Sequence, residues 1–328
     1  VSLPDRPTSP PDDVDALFDE GIELESAFRD GAVEFAIPLE ALGALGVGDR
    51  VSILAIVDER GENATAPASG RGAIQIPDIS NVEVVFSVED PSGDDIGPGT
   101  YTYPTDTVFQ PGSYDLTSFS VGLSGDEIVF EFTVAAPISN PWGSPTGLSI
   151  QTFDVYVDTD PGASSGARRM IDGRNAAFEA GSGWERALTI EGWESALFTA
   201  TSDDDVNETQ PTLTILVFGD KGRVVARVAR DLFPEGDPAT WGYAVALMSQ
   251  EGFPSSGVRR IRDVEASAQQ YRLGGSDGSV NATRIIDLLW PDAGVQGELL
   301  TPAVPVTSGS IDDLGPDDFA QVRFLLPS

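Results

Sequence analysis

The chain of 328 residues contains no histidine and no cysteine, and Lys221 is the one lysine among its 19 basic residues. Without histidine there is no Ser-His-Asp or Cys-His catalysis, no imidazole acid or base near neutral pH, and no haem ligation by His. Without cysteine there are no disulfides, and the two absences together remove the usual donors of zinc. No stretch approaches the roughly 20 apolar residues that a bilayer-spanning helix requires. Positive charge is scarce too: 53 Asp and Glu face 19 Arg and Lys, a formal charge of −34. Nucleic acid and anionic membranes are poor partners for such a surface. Carboxylate chemistry, hard-cation binding or a role without catalysis remain.

What is present points first to salt. At molar ionic strength the Debye length falls to about 3 Å, so the self-repulsion of so many carboxylates is screened. Hydrated Asp and Glu keep such a surface soluble, whereas lysine stems would expose methylenes. A halophilic source is expected, with an ordinary acidic, calcium-loaded secreted protein as the alternative. Hydrophobic residues at 40% and regular strand patterning argue against disorder. The opening Val1-Ser2-Leu3-Pro4-Asp5-Arg6-Pro7 has no charged head followed by an apolar run, so either a signal peptide has been removed or the chain is a fragment. Asn63, Asn207 and Asn281 begin N-x-[ST] triplets, which suits a glycosylated extracellular protein.

Residues 1 to about 27 are rich in Pro and Asp and read as an irregular lead-in. Strand-like text begins with AVEFAIPL at Ala32–Leu39 and RVSILAIV at Arg50–Val57; RVVARVAR at Arg223–Arg230 and GYAVALM at Gly242–Met248 repeat the same strand-turn-strand plan. Residues 1–80 are therefore expected as a smaller or partial β-rich region, the closing half of a sandwich related to the one formed by 81–328. In the larger region apolar-polar alternation marks strands at Glu83–Val88, Thr117–Leu123, Glu127–Val134, Ser149–Val157, Arg186–Ile190, Leu213–Phe218, Val224–Val228 and Tyr243–Met248. That spacing predicts an all-β antiparallel sandwich with long loops. Short helices are expected near Val14–Phe18, Asp263–Gln270 and Thr283–Leu289.

The densest motif runs from Glu89 to Pro104, EDPSGDDIGPGTYTYP, with Asp106 and Tyr114-Asp115-Leu116 beyond it. Asp90, Asp94 and Asp95 stand among Gly93, Gly97 and Gly99, which let a backbone fold tightly enough for carboxylates and carbonyls to converge. Calcium takes six to eight oxygens at about 2.3–2.6 Å from such loops; a solvated acidic turn is the alternative. A strand ending in Asp158-Thr159-Asp160-Pro161-Gly162 is the second candidate cation site, against a turn-capping role. Asp203-Asp204-Asp205 reads as a solvated loop. Of the five tryptophans, Trp142 sits in a Pro/Gly loop where a ring is displayed, and sugars offer flat C–H faces to such rings. Trp184, Trp193 and Trp241 read primarily as core. Paired carboxylates at about 5–9.5 Å could serve a glycosidase, but nothing marks one pair among 53 acids, so no enzyme is expected.

Asp90–Pro104, Asn140-Pro141-Trp142, Ser149-Ile150-Gln151-Thr152, Val155–Asp158, Trp241-Gly242-Tyr243, Ser249-Gln250-Glu251-Gly252, Arg260–Val264 and Leu273-Gly274-Gly275 occur in the order seen in one family. Over about residues 83–306 the chain resembles the C-terminal domain of glucodextranase. Similar domains accompany pullulanase-like glycosidases and archaeal surface proteins, and the family looks like the DOMON and family-nine carbohydrate-binding-module sandwiches. The resemblance implies a non-catalytic, extracellular or cell-surface module that binds a polysaccharide or wall glycan, from an archaeal halophile. It implies a cation, with calcium expected, among Asp90, Asp94, Asp95 and Asp158, to which the turn motif adds Asp160, and a glycan near Trp142 and Tyr103, with Trp241 a further candidate. The alternatives are a subunit of a surface layer, pilus or filament whose identical copies complete one another by strand donation, and an ancillary part of a polysaccharide-degrading glycosidase.

Overall fold

Strands covered on one face alternate apolar and polar residues, whereas strands covered on both faces lose the alternation; the two kinds divide this molecule into layers. The computed structural model describes residues 82–211, 213–251 and 261–327, and before them the backbone of six strands between Glu25 and Gln75. The chain divides into two compact units, Val1–Asn81 and Val82–Ser328.

In the first unit β1 (Glu25–Arg29) pairs with β2 (Ala32–Ala36), β3 (Arg50–Ile53) with β6 (Gly72–Gln75), and β4 (Ala55–Glu59) with β5 (Glu62–Ala66), all antiparallel. The strand expected over Arg50–Val57 is thus two strands with different partners. β1 also begins inside the expected irregular lead-in. The helix expected at Val14–Phe18 lies outside the described residues.

Among the described residues the second unit has thirteen strands in antiparallel sheets, apart from one short parallel pair. In chain order they are β7 (Glu83–Glu89), β8 (Leu116–Ser124), β9 (Glu127–Val134), β10 (Gln151–Asp158), β11 (Ala176–Phe178), β12 (Arg186–Ile190), β13 (Ala196–Ser202), β14 (Asp205–Thr209), β15 (Thr214–Phe218), β16 (Arg223–Ala229), β17 (Gly242–Ser249), β18 (Asp287–Leu288) and β19 (Ala320–Val322). One sheet runs β15-β16-β9-β8-β7 and the other β14-β13-β12-β10-β17-β18.

In the five-stranded sheet β9 alternates most clearly. On β9, Ile128, Phe130, Phe132 and Val134 point inward, while Glu127 and Glu131 pair outside with Arg227 and Arg223 of β16 at 2.7 and 2.6 Å. The six-stranded sheet does not alternate at its centre, because every residue of β10 and of β17 is buried. Phe153, Val155, Val157, Tyr243, Val245 and Leu247 meet the five-stranded sheet. Tyr156, Ala244, Ala246 and Met248 meet a third layer of Met170, Ile171, Phe178, Trp184, Ile285 and Leu299. β11 and β19 pair in parallel within that layer.

Two expected helices are corrected. Thr283–Leu289 contains β18, whose Asp287 and Leu288 pair with Leu247 and Ala246 of β17. Asp263–Gln270 is irregular, since Gln269 and Gln270 give their carbonyls to Thr105 and Asp106. The α-helix among the described residues is α1 (Ala293–Leu299), capped by Asp292, whose side chain accepts from the N–H of Gly294. In the acidic run Asp203–Asp205, Asp204 and Asp205 are exposed. Asp203 instead accepts the N–H groups of Arg168 and Arg169, each at 2.6 Å.

Candidate functional site

The connection from β7 to β8 is far longer than the two to five residues that join ordinary hairpin strands, and loops of such length are usually functional. It is folded tightly on itself. Gly97 has φ +57°, and a Cβ there would lie 2.4 Å from the ring of Tyr101. Its N–H donates to the Ile286 carbonyl at 2.8 Å. Asp90 and Asp115, at the two ends of this connection, therefore come together with Asp94 and with Asp287 of β18. β7 and β18 are the edges of the two sheets, so these carboxylates sit where the sandwich closes.

One oxygen of most of these groups is fixed by backbone. Asp90 Oδ1 accepts from Trp290 N at 2.8 Å, Asp287 Oδ2 from Leu116 N at 2.6 Å, and Asp115 Oδ2 from Gly93 N at 2.8 Å. The other oxygens accept nothing: Asp90 Oδ2, both oxygens of Asp94, Asp115 Oδ1 and Asp287 Oδ1 are buried without a hydrogen bond. Asp90, Asp94 and Asp287 each offer one oxygen within 4.8 Å of the others. Opposite ligands of a calcium ion at about 2.3–2.6 Å from the metal are about 4.6–5.2 Å apart, so the spacing fits one ion. Burial raises the pKa of all four. For Asp287 burial is followed by repulsion from Asp90, for Asp90 the repulsion comes from Asp94 and Asp115, and for Asp94 from Asp95. Asp115 is pushed up to about 6 by burial and then by Asp95. Among the described residues no arginine or lysine bonds to these carboxylates. Orphaned buried oxygens, an all-oxygen donor set and mutual repulsion match a hard divalent cation.

The expected ligands divide between two places. Asp95 lies beside the first group but accepts a hydrogen bond from the Tyr103 hydroxyl. Asp158 belongs to a separate group with Asp160 and Glu185, not with Asp94. Asp158 is pushed up to about 7 by burial and then by Glu185 and Asp160. Hydrogen bonds already occupy this group: Asp158 accepts from Asp160 N, Asp160 from the Ser165 hydroxyl, and Glu185 from Thr159 N and Ser165. Asp287 was missed. An acidic residue inside the apolar run Ile285-Ile286-Asp287-Leu288-Leu289 is the signal that could have found it.

The aromatic candidates also separate. Trp142 is 38% exposed, and beside it stands Tyr271, 41% exposed, with ring centres 6.5 Å apart at 69°. The guanidinium of Arg262 lies 5.4 Å from the Trp142 ring centre and 6.0 Å from that of Tyr271, and the buried ring of Phe109 packs edge-on against both. Arg262 is held by the carbonyls of Gln250 and Tyr271 at 2.7 and 2.9 Å. Gln270 bridges Asp106 Oδ2 and the Tyr271 hydroxyl at 3.0 and 2.9 Å. Tyr103 is half-buried, with its hydroxyl between Asp95 and Tyr114 N, so it supports the corner from behind. Trp241 is corrected: it is 1% exposed and stacked on Phe233, so neither face can meet a sugar. Trp184 is wholly buried and Trp193 half-buried.

Of the three glycosylation triplets, Asn207 is exposed on β14 and Asn63 lies in β5. Asn281 is corrected. It is 0% exposed, its Nδ2 donates to the carbonyls of Val304 and Asp318, and its Oδ1 accepts from Val306 N. No acceptor nitrogen is available there in the folded chain.

With this geometry in place, comparison with known families gives a match over residues 85–310 to the C-terminal binding module, SLH-like, of glucodextranase. The chain belongs to that family. The match takes in the carboxylate group, the aromatic corner and both sheets of the sandwich, and the family is one of binding modules, not of catalytic domains. A comparison with curated proteins found no match. Among the described residues no helix is long and apolar enough to cross a membrane.

Proposed function

We propose that the chain is a non-catalytic glycan-binding module of the cell surface or extracellular space, working in high salt and braced by calcium. The observation that supports glycan binding is the corner itself. Two large aromatic side chains left exposed among the described residues are neighbours, and an arginine held by backbone carbonyls fixes both from beneath. An exposed ring pair with hydrogen-bonding groups at its rim suits a pyranose, whose C–H face is apolar and whose edge is polar. Calcium is assigned to Asp90, Asp94 and Asp287, with Asp115 beside them, where it would neutralise the unpaired oxygens and tie the sheet edges together.

Titration of α-glucans and wall polysaccharide in molar KCl tests the reading. Trp142→Ala is expected to weaken binding at least tenfold, which is about 1.4 kcal/mol. Heats of binding unchanged by that substitution would remove the corner as the site.

A further inference from the structure

The carboxylate group and the aromatic corner are built by the same segment. Between Asp90 and Asp115 the chain supplies three of the four carboxylates, and between them Asp106 at the rim of the corner and Phe109 beneath it. A chain of packed rings joins the two places. Tyr103 hydrogen-bonds Asp95 and packs on Tyr114 with ring centres 5.5 Å apart. Tyr114 stacks on Phe109 at 6.4 Å, and Phe109 meets Trp142 at 6.1 Å and Tyr271 at 6.4 Å. A second link is made by backbone: Thr102 exchanges two hydrogen bonds with Gly274, both 3.0 Å, and Thr105 and Asp106 donate to Gln269 and Gln270 at 2.9 and 3.0 Å. Tyr271 therefore hangs from a strip that the 90–115 segment holds.

The segment is attached to β18 and the residues around it through Asp90 to Trp290 N, Gly97 N to the Ile286 carbonyl and Leu116 N to Asp287, through the Tyr101 hydroxyl to the Thr283 carbonyl, and through Gln296, whose Nε2 donates to the Asp94 carbonyl while its Oε1 accepts from Leu288 N. Without a cation these contacts must hold mutually repelling buried carboxylates together. With one, the same groups become a shared ligand shell. The rim of the corner has a sign as well. Asp106 is kept below the ordinary carboxylate pKa by Gln270 and then Val108 N, so it stays charged. The positive charge of Arg262 is spent on carbonyls under the rings.

We propose that a divalent cation in the carboxylate group assembles the Trp142–Tyr271 corner, and that the corner takes a neutral pyranose, so that glycan binding depends on calcium although the calcium is buried away from the sugar. This rests on the reading of the corner as the glycan site. Thermodynamic reciprocity gives it a second face: if calcium tightens sugar binding, sugar tightens calcium binding by the same factor.

The test uses the full chain in molar KCl, with dextran and cello-oligosaccharides as neutral probes and oligogalacturonate as the acidic one. Binding is read by calorimetry and by tryptophan fluorescence, with calcium or with excess EGTA, and circular dichroism monitors the fold. A neutral probe is expected to bind in calcium, at least tenfold more weakly in EGTA, and likewise more weakly in Asp94→Asn, chosen because Asp287→Asn threatens folding. Saturating sugar is expected to tighten calcium binding equally, and Tyr271→Ala to lose the sugar while binding calcium as before. Equal sugar affinity in calcium and EGTA overturns the gating and leaves the corner standing. Failure of every neutral probe in both states, or binding that survives Tyr271→Ala, overturns corner and gating together. Tighter binding of oligogalacturonate overturns the neutral class, and loss of the whole β signal in EGTA overturns gating in favour of a cation that holds the entire domain.

Discussion

Asp154 and Asp287 are both aspartates with no solvent exposure, and the molecule treats them in opposite ways. Asp154 Oδ2 accepts from Arg174 Nε at 2.6 Å and from the Tyr156 hydroxyl at 2.8 Å, while Oδ1 accepts from Arg174 Nη2 and the Thr189 hydroxyl, each at 2.9 Å. Every lone pair has a donor, so the pair is compensated by geometry. Asp154→Ala leaves a buried guanidinium without its partner and is expected to cost about 3–5 kcal/mol in urea unfolding, whereas joint replacement of Asp154 and Arg174 by apolar residues of similar volume should recover most of it. Asp287 and its neighbours have no such partner, and their pKa values rise. In chelator the folded state therefore binds more protons than the unfolded state as pH climbs above 3.8, and stability falls through the raised value of Asp115, about 6, and beyond. Melting temperature in EGTA should decline from pH 4.5 to pH 8, and saturating calcium should flatten the decline. A chelated protein equally stable at both ends would mean that these carboxylates are not strained. Neither residue was singled out from the sequence, because each looked like an ordinary polar position in an alternating strand or a helical turn. What distinguishes them is burial on both sides, which depends on the third layer.

Among elements, the strands of the five-stranded sheet were legible because solvent on one face preserves alternation: Glu127–Val134 is a strand with the bounds expected. β10 and β17 were found as well, although their polar residues Thr152, Asp154 and Ser249 face protein instead of water. Two of the pieces that went unseen, β13 and β14, pair with their neighbours in the chain but lead into or through the acidic run that reads as a loop; the others are short or depend on distant partners. β18 is two residues long and exists through β17, and β11 and β19 join segments more than a hundred residues apart. The carboxylate loop was legible from its glycines and aspartates, but Asp287, which closes it, arrives through β18 and so was not. The strip carrying Tyr271 has the same character, being ordered by pairing with residues 102–106. Gly275 stands at its end with φ +101°, and a Cβ there would lie 2.0 Å from the Thr100 carbonyl. Gly275→Ala is expected to destabilise by roughly 1–3 kcal/mol and to weaken glycan binding with it, while the distant bidentate pair of Arg223 and Glu131 is untouched. Calorimetry and thermal melts of this variant against Gly309→Ala, at another positive-φ glycine with open space around it, separate loss of the strip from backbone strain alone.

At the scale of the whole molecule two electrostatic problems coexist, and they respond to different ions. The chain carries a charge of −34, and among the described residues most carboxylates are exposed, so that their mutual repulsion reaches only about 3 Å in molar salt. The four carboxylates at the sheet edges are buried, and buried charges are screened far less by the solution around them. KCl should therefore raise the melting temperature steeply at first and then little, as the Debye length shrinks to the spacing of surface groups. Calcium should add a further increment that persists at every KCl concentration, because it enters a site that mobile ions do not screen, and this increment follows mass action on the folded state. A grid of melts over KCl and calcium, each with and without EGTA, distinguishes the two. If molar KCl alone erases the difference between calcium and EGTA, the sheet-edge carboxylates behave as solvated surface groups and calcium is not their ligand. If the increment survives in the wild-type chain and disappears in Asp94→Asn while the KCl curve keeps its shape, the surface and the sheet edge are independent, and the acidity of this chain serves solubility at one place and cation binding at the other.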